Sequence, residues 1–227
     1  MKVVYEDNHI IIVSKSSGEI VQGDKTGDEP LSETVKRHIK EVYHKPGNVF
    51  LGVVHRLDRP VSGLVIFAKT SKALSRLADM FRRGDVHKTY WAITKNRPPD
   101  QEGTVTSWLV RNEKQNKSYS FDHEVKDSKK AVLTYRLIGS TDNYSLLEIN
   151  LLTGRHHQIR CQLASIGCPI KGDLKYGAKR SNPDGSISLL ARRIQFVHPV
   201  SKDNIDVVAP VIDDNLWRDI TASVESK

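Results

Sequence analysis

Cysteine is scarce in this chain: Cys161 and Cys168 are the only two in 227 residues, too few for a disulfide framework. Long hydrophobic runs are missing as well. The longest, such as Ile10 to Val13 and Leu64 to Ala68, reach four or five residues, far short of the ~18 that a membrane helix needs. The opening Met-Lys-Val-Val-Tyr-Glu-Asp lacks the apolar stretch of a secretion signal. These absences lead to the expectation of reduced thiols in a cytoplasmic protein with no membrane partner. There is no Walker loop, dinucleotide-type glycine triplet or zinc-protease helix, so nucleotide cofactors and metal catalysis find no support. His156, His157, Cys161 and Cys168 match no paired C-x₂-C or H-x₃₋₅-H zinc spacing. No internal repeat or low-complexity tract interrupts the chain.

What the chain does have is positive charge: 35 Lys+Arg against 27 Asp+Glu, or +8, with a sequence pI of about 9.4. The excess is concentrated. Residues 69–97 carry eight basic and two acidic side chains, and residues 154–195 carry the same, so each segment is +6 and the remainder is −4. Such concentration fits a polyanion site and also fits a pair of solvated helix faces. With 38% hydrophobic residues the chain can bury a core, as one large domain or two small ones.

The pattern predicts strands at Val3–Tyr5 and Ile10–Ser14 around an Asp-Asn turn, then a helix from Leu31 to Val42 with Asp28 and Glu29 at its N-terminal end. A buried strand follows over Gly63–Ala68. Ser71 is expected to cap a second helix that Gly84 closes. Strands are expected at 86–94, 104–110, 130–138, 144–152, 188–197 and 204–208, and helices at 156–166 and 213–223. Asn112–Lys129 reads as a polar excursion. The fold class is α+β, a largely antiparallel mixed sheet with flanking helices and a central basic cleft.

Three motifs carry chemistry. In His55-Arg56-Leu57-Asp58-Arg59-Pro60-Val61-Ser62-Gly63, an acid flanked by two arginines sits on a Pro- and Gly-punctuated turn before a buried strand. The arginines favour an ionised Asp58, available as nucleophile or base, although an Arg–Asp surface pair holding a turn would look the same. The stretch also resembles the His-Arg-Asp loop of protein kinases, but no Gly-rich loop or Asp-Phe-Gly accompanies it. In Gly154-Arg155-His156-His157-Gln158-Ile159-Arg160, a helix would put His156 and Arg160 on one face. In Lys88-Thr89-Tyr90-Trp91-Ala92, a strand would bury Trp91 and Ile93 on one side and offer Lys88 and Tyr90 on the other, with Tyr90 as a stacking surface or a core residue.

Together the motifs resemble the pseudouridine synthases of the ribosomal large-subunit type, the RluA family, in order from about Tyr5 to Pro210. HRLDRPVSGLVIFAK resembles the catalytic-aspartate motif, KTYWAI the strand bearing the active-site tyrosine, LLTGRHHQIRCQLASIGCPIKGDLKYG the arginine motif, and LLARRIQFVHPV the closing strand. The resemblance implies the pseudouridine synthase fold over residues 1–227, as one catalytic domain of two subdomains sharing a sheet. No separate N-terminal RNA-binding module is expected. It implies Asp58 as the catalytic aspartate, Tyr90 stacking on the target base, Arg160 pairing with Asp58, and Arg56 filling the space of a flipped nucleotide. His55, Arg59, Lys88, Arg155 and His156 complete the expected substrate-binding set. Lys15-Ser16-Ser17-Gly18 stands where the family commonly has Lys-Pro-x-Gly. The implied reaction isomerises uridine in tRNA, large-subunit rRNA or both, with no cofactor, no obligate protein partner and a monomeric enzyme. A non-catalytic RNA-binding or ribosome-assembly protein on the same fold is the rival reading.

Overall fold

The computed structural model describes residues 1–225. In chain order the elements are β1 (Lys2–Glu6), β2 (Ile10–Lys15), α1 (Leu31–Val42), β3 (Gly52–Val53), β4 (Ser62–Ala68), α2 (Ser71–Arg83), β5 (His87–Thr94), β6 (Glu102–Asn112), β7 (Lys117–Phe121), β8 (Lys129–Ser140), β9 (Ser145–Leu151), α3 (Gln158–Ser165), a 3₁₀ turn at Leu174–Tyr176, β10 (Leu189–Val197), β11 (Asn204–Val208) and α4 (Asn215–Glu225). Among the described residues no helix is long and apolar enough to cross a membrane. The chain divides into two compact units, one of residues 1–87 with 191–210 and one of residues 88–190 with 211–227.

In the first unit, β2 runs antiparallel to β1 and to β4, β3 adds to β4, and β10 pairs with β11. Asp7 closes the β1–β2 turn by accepting the N–H groups of His9 and Ile10, the local hydrogen bonding that makes Asp a turn residue. The run Ile10–Val13 is fully buried, as is Val65–Ala68 of β4, so these strands form the centre of this core. Helix α1 falls at the expected residues. It lacks a side-chain cap; the N–H groups of Leu31 and Ser32 instead donate to the carbonyls of Ile20 and Val21. Helix α2 is capped by Thr70, whose hydroxyl accepts from Ala73 N–H, and not by Ser71, which is its first helical residue. Gly84 ends it in the left-handed region, as expected.

In the second unit the strands form the antiparallel order β5–β9–β8–β6–β7. α3 packs on β6 and β7, and Cys161, Leu109, Ala131 and Tyr176 form a cluster there. Both cysteines are free thiols; burial pushes Cys161 up to about 11. The polar stretch 112–129 conceals one strand, β7, whose Lys117–Phe121 pairs with β6 and sits at the sheet edge. Its polar composition hid it, because an edge strand exposed along one side needs little apolar surface.

Candidate active site

The Asp58 loop belongs wholly to the first unit. Asp58 is half-buried on a turn closed by Val61 N–H donating to the Asp58 carbonyl at 3.0 Å. Lys15, 1% exposed at the end of β2, holds this turn by its main chain. Its ammonium donates to the carbonyls of Ser16 (2.9 Å), Arg59 (3.1 Å) and Val61 (2.6 Å), while Gly18 N–H also donates to the Arg59 carbonyl at 2.8 Å. Burial lowers the Lys15 pKa to about 8, a shift opposed by the negative charges of Glu19 and Asp58. Gly63 leads the loop into β4 with φ +118°, and a Cβ there would lie 2.4 Å from the Ala191 carbonyl oxygen, so only glycine fits.

The loop's other side chains are placed differently from one another. The Arg59 guanidinium donates to Asp28 (2.7 Å) and to the Thr26 hydroxyl (2.8 Å), which ties the loop to residues 24–28. The His55 imidazole accepts Ile66 N–H through Nε2 at 3.0 Å and stacks on Phe81 at 4.8 Å, so it braces β4 against α2. Arg56 is exposed.

Tyr90, Lys88, Arg155, His156 and Arg160 lie in the second unit. Of the two readings of Tyr90, burial agrees with the core one: Tyr90 and Trp91 are 7% and 6% exposed and Ala92 and Ile93 are fully buried, while His87 to Thr89 at the start of β5 stay exposed or half-buried. Lys88 is half-buried, its pKa lowered by burial, and its ammonium reaches the turn at Gly154, where a Cβ would stand 3.6 Å away. That turn is held by Gln158, whose Oε1 accepts from Thr153 Oγ1 (2.8 Å) and from Arg155 N–H (2.9 Å). The Arg155 guanidinium donates to the Lys130 carbonyl at 3.0 Å.

A correction concerns the helix. It begins at Gln158 because His157 takes a left-handed conformation with φ +52°, so His156 stands outside and shares no helical face with Arg160. The His156 ring meets Ser118 Oγ (2.9 Å) and Asn116 Oδ1 (3.1 Å). His157 meets Arg160, whose Nη1 donates to His157 Nε2 at 3.1 Å. Arg160 Nε and Nη2 donate to the two carboxylate oxygens of Asp173 at 2.7 and 2.8 Å, a fork in which both residues are buried. Asp173, His157, Tyr176 and Lys15 are the residues that sequence reasoning left without a role. Gly172-Asp173 was the available signal for one of them: Gly172 has φ +89°, and a Cβ there would meet the Ser186 carbonyl at 2.7 Å, so the turn presenting Asp173 requires glycine.

A family model described as RNA pseudouridylate synthase matches residues 9–165, the stretch that contains Asp58, Tyr90 and Arg160. The chain belongs to that family. Ribosomal large subunit pseudouridine synthase D of Zymomonas mobilis is 32% identical over 224 residues, covering 94% of this chain and 70% of the relative. Ribosomal large subunit pseudouridine synthase C of Vibrio cholerae is 31% identical over 215 residues, 92% of this chain and 65% of the relative. An uncharacterized RNA pseudouridine synthase of Synechocystis is 31% identical, with 93% and 65% covered. This chain therefore spans 65–70% of the length of these relatives. Among solved structures, human RNA Pseudouridylate Synthase Domain Containing 4 superposes with a TM-score of 0.79 at 21% identity, over 99% of this chain and 93% of that one. Human RNA Pseudouridylate Synthase Domain Containing 1 gives 0.72 at 21% identity, over 98% and 86%. The α+β architecture is the fold shared with these synthase domains.

Proposed function

We propose that this chain converts uridine to pseudouridine in structured RNA, with Asp58 as the catalytic carboxylate and no cofactor. The observation that carries the reading is the family match over residues 9–165, which takes in the whole Asp58 motif together with Tyr90 and Arg160. The placement of Asp58 supports it: the turn is tied down through its main chain, so the carboxylate is aimed while its side chain stays half-exposed.

The reaction breaks the bond from N1 to the sugar carbon C1′, turns the uracil, and forms the bond from C5 to C1′. The C5 proton leaves to water and N1 gains one, so product and substrate are isomers and nothing is oxidised. Asp58 serves as the nucleophile or base that starts it. A uridine inside a stem must first leave the stack, at a cost of about a few kcal/mol. By the family resemblance, Arg56 takes the vacated space, Tyr90 is the residue that stacks on the base, and Arg160 is the arginine matched to Asp58. Lys88, Arg155 and His156 hold flanking phosphates, and His55 and Arg59 shape the loop. The enzyme works as a cytoplasmic monomer on RNA alone. Relatives named for the large ribosomal subunit make its rRNA the first substrate to test, with tRNA the second.

Release of tritium from RNA carrying [5-³H]uridine, isolated from cells lacking the gene, measures the reaction. Asp58→Asn is expected to abolish release and to leave RNA affinity, and its steep decline with salt, unchanged within about twofold. Near wild-type turnover by that variant would overturn the assignment. RNA binding without tritium release by the unaltered chain would favour the non-catalytic reading.

A further inference from the structure

Arg160 is the only arginine of the expected set that is nearly fully buried, at 6% exposure, and its surroundings form a closed chain of contacts inside the second unit. The Asp173 fork takes the side-on edge of the guanidinium, Nε and Nη2. Nη1 donates to His157 Nε2, so that nitrogen carries the lone pair and the imidazole hydrogen sits on Nδ1. Nδ1–H then donates to the Tyr176 oxygen at 2.9 Å, and the same oxygen accepts Ser118 N–H at 2.8 Å. The Tyr176 ring also lies under the guanidinium, 5.1 Å from its carbon to the ring centroid. Ser118 belongs to β7, and its hydroxyl donates to the His156 carbonyl at 2.8 Å. Burial and the neighbouring Arg160 charge hold His157 neutral, with its pKa near 2.

We propose that Asp173, His157 and Tyr176 are positioning residues for Arg160. They fix the plane and rotation of its guanidinium and register it against the β7 edge strand. Each contact has a distinct physical task. Asp173 supplies the charge without which a buried guanidinium is not held in place. A histidine locked in one tautomer by Arg160 on one side and Tyr176 on the other allows no second guanidinium orientation without breaking two hydrogen bonds. The main-chain bond from Ser118 anchors the chain to the sheet, so a shift of β7 would be felt at Arg160. The Nη1–Nη2 edge, which shares Nη2 with the Asp173 fork and Nη1 with the His157 contact, is then held in one direction. This inference rests on the reading of Arg160 as part of the reactive set.

The test compares Asp173→Asn, Tyr176→Phe and Arg160→Met in single-turnover tritium release with saturating RNA, alongside ¹⁵N NMR of the Arg160 Nε–H and of the His157 ring. Asp173→Asn preserves volume and removes the charge; the expected result is a fall in the rate of at least about tenfold, with RNA affinity changed less than about threefold. The Arg160 Nε–H should exchange slowly in the unaltered protein and fast in Asp173→Asn. Tyr176→Phe keeps the ring and removes the oxygen; a smaller loss, about three- to tenfold, is expected, with His157 passing from a pure Nδ1–H tautomer to a mixture. If Asp173→Asn does not fold, Tyr176→Phe and the His157 spectrum decide alone. Full single-turnover rate in both variants while Arg160→Met is inactive would overturn the positioning role, as would an Nε2–H tautomer in the unaltered protein. Full rate in Arg160→Met would instead remove the reading of Arg160 on which the proposal stands.

Discussion

The two halves of the expected reactive set are fixed by opposite means. In the first unit, the Asp58 turn is held by its carbonyls: one buried lysine, Lys15, donates to Ser16, Arg59 and Val61. In the second unit, Arg160 is held by its own functional group, through Asp173 and His157. The difference follows from burial. Asp58 keeps its side chain half-exposed, so the fold grips its main chain. A guanidinium at 6% exposure has lost its hydration and needs a counter-charge and hydrogen-bond acceptors on the protein side.

Four perturbations sharpen that contrast, in order of expected size. Asp173→Ala leaves a buried cation unpaired and is expected to cost about 3–5 kcal/mol of unfolding free energy, whereas the double replacement Arg160→Met with Asp173→Leu should recover most of it. Denaturant unfolding of the unaltered protein and the two variants checks this; equal losses in the single and double variants would refute the counter-charge account. Lys15→Met strips three carbonyls of their shared donor and should cost about 2–4 kcal/mol in the same measurement. The loss should be accompanied by faster amide exchange in residues 58–61 and no change around α3.

The third perturbation is acid. His157 has a folded pKa near 2, below the ~6.5 of the unfolded chain, so the unfolded state binds the extra proton between those values. Its contribution to stability is therefore complete above about pH 6.5 and is lost as pH falls from there toward 2. Comparing unfolding at pH 7 and pH 5, His157→Asn should remove up to about 2 kcal/mol of the wild-type decline; an identical decline in both proteins would show that His157 protonates freely in the fold. The smallest effect is expected from Arg59→Ala. The pairs of Arg59 with Asp28 and Asp24 are solvent-exposed, so the loss of stability should be the smallest of the four and shrink with added salt.

The charge pattern shows how composition and structure divide the work. Counted along the chain, residues 69–97 and 154–195 are each +6. In three dimensions Arg82 and Arg83 pair with Asp79, Arg83 also pairs with Asp85, and Arg193 pairs with Asp206 across the β10–β11 hairpin. Arg160 pairs with Asp173. The basic excess is real, but several of the side chains that compose it already have acidic neighbours, and Arg56, Lys88 and Arg155 are better placed to be judged individually.

Much was legible in advance because it is local. The 3.6-residue period of Leu31, Val35 and Ile39 marks α1, Gly84 marks the end of α2, and the density of charge, proline and glycine around Asp58 marks its loop. What failed was whatever depended on a partner elsewhere. The left-handed His157 moved the start of α3 by two residues and exchanged one histidine for another beside Arg160; no periodicity encodes that, since a single residue with positive φ outside glycine is stabilised by its surroundings. Strand β7 needed β6 to exist.

Sequence alone determined the family resemblance, the α+β class and the motifs in which the expected site residues stand, because motif order, hydrophobic period and turn chemistry are written in neighbouring residues. Only the tertiary structure decided what holds those residues. Asp173 lies thirteen positions beyond Arg160, and Lys15 lies 44 before Arg59. A buried charge takes whichever opposite charge or carbonyl the folded chain brings within about 3 Å, and at those separations only the completed core brings them.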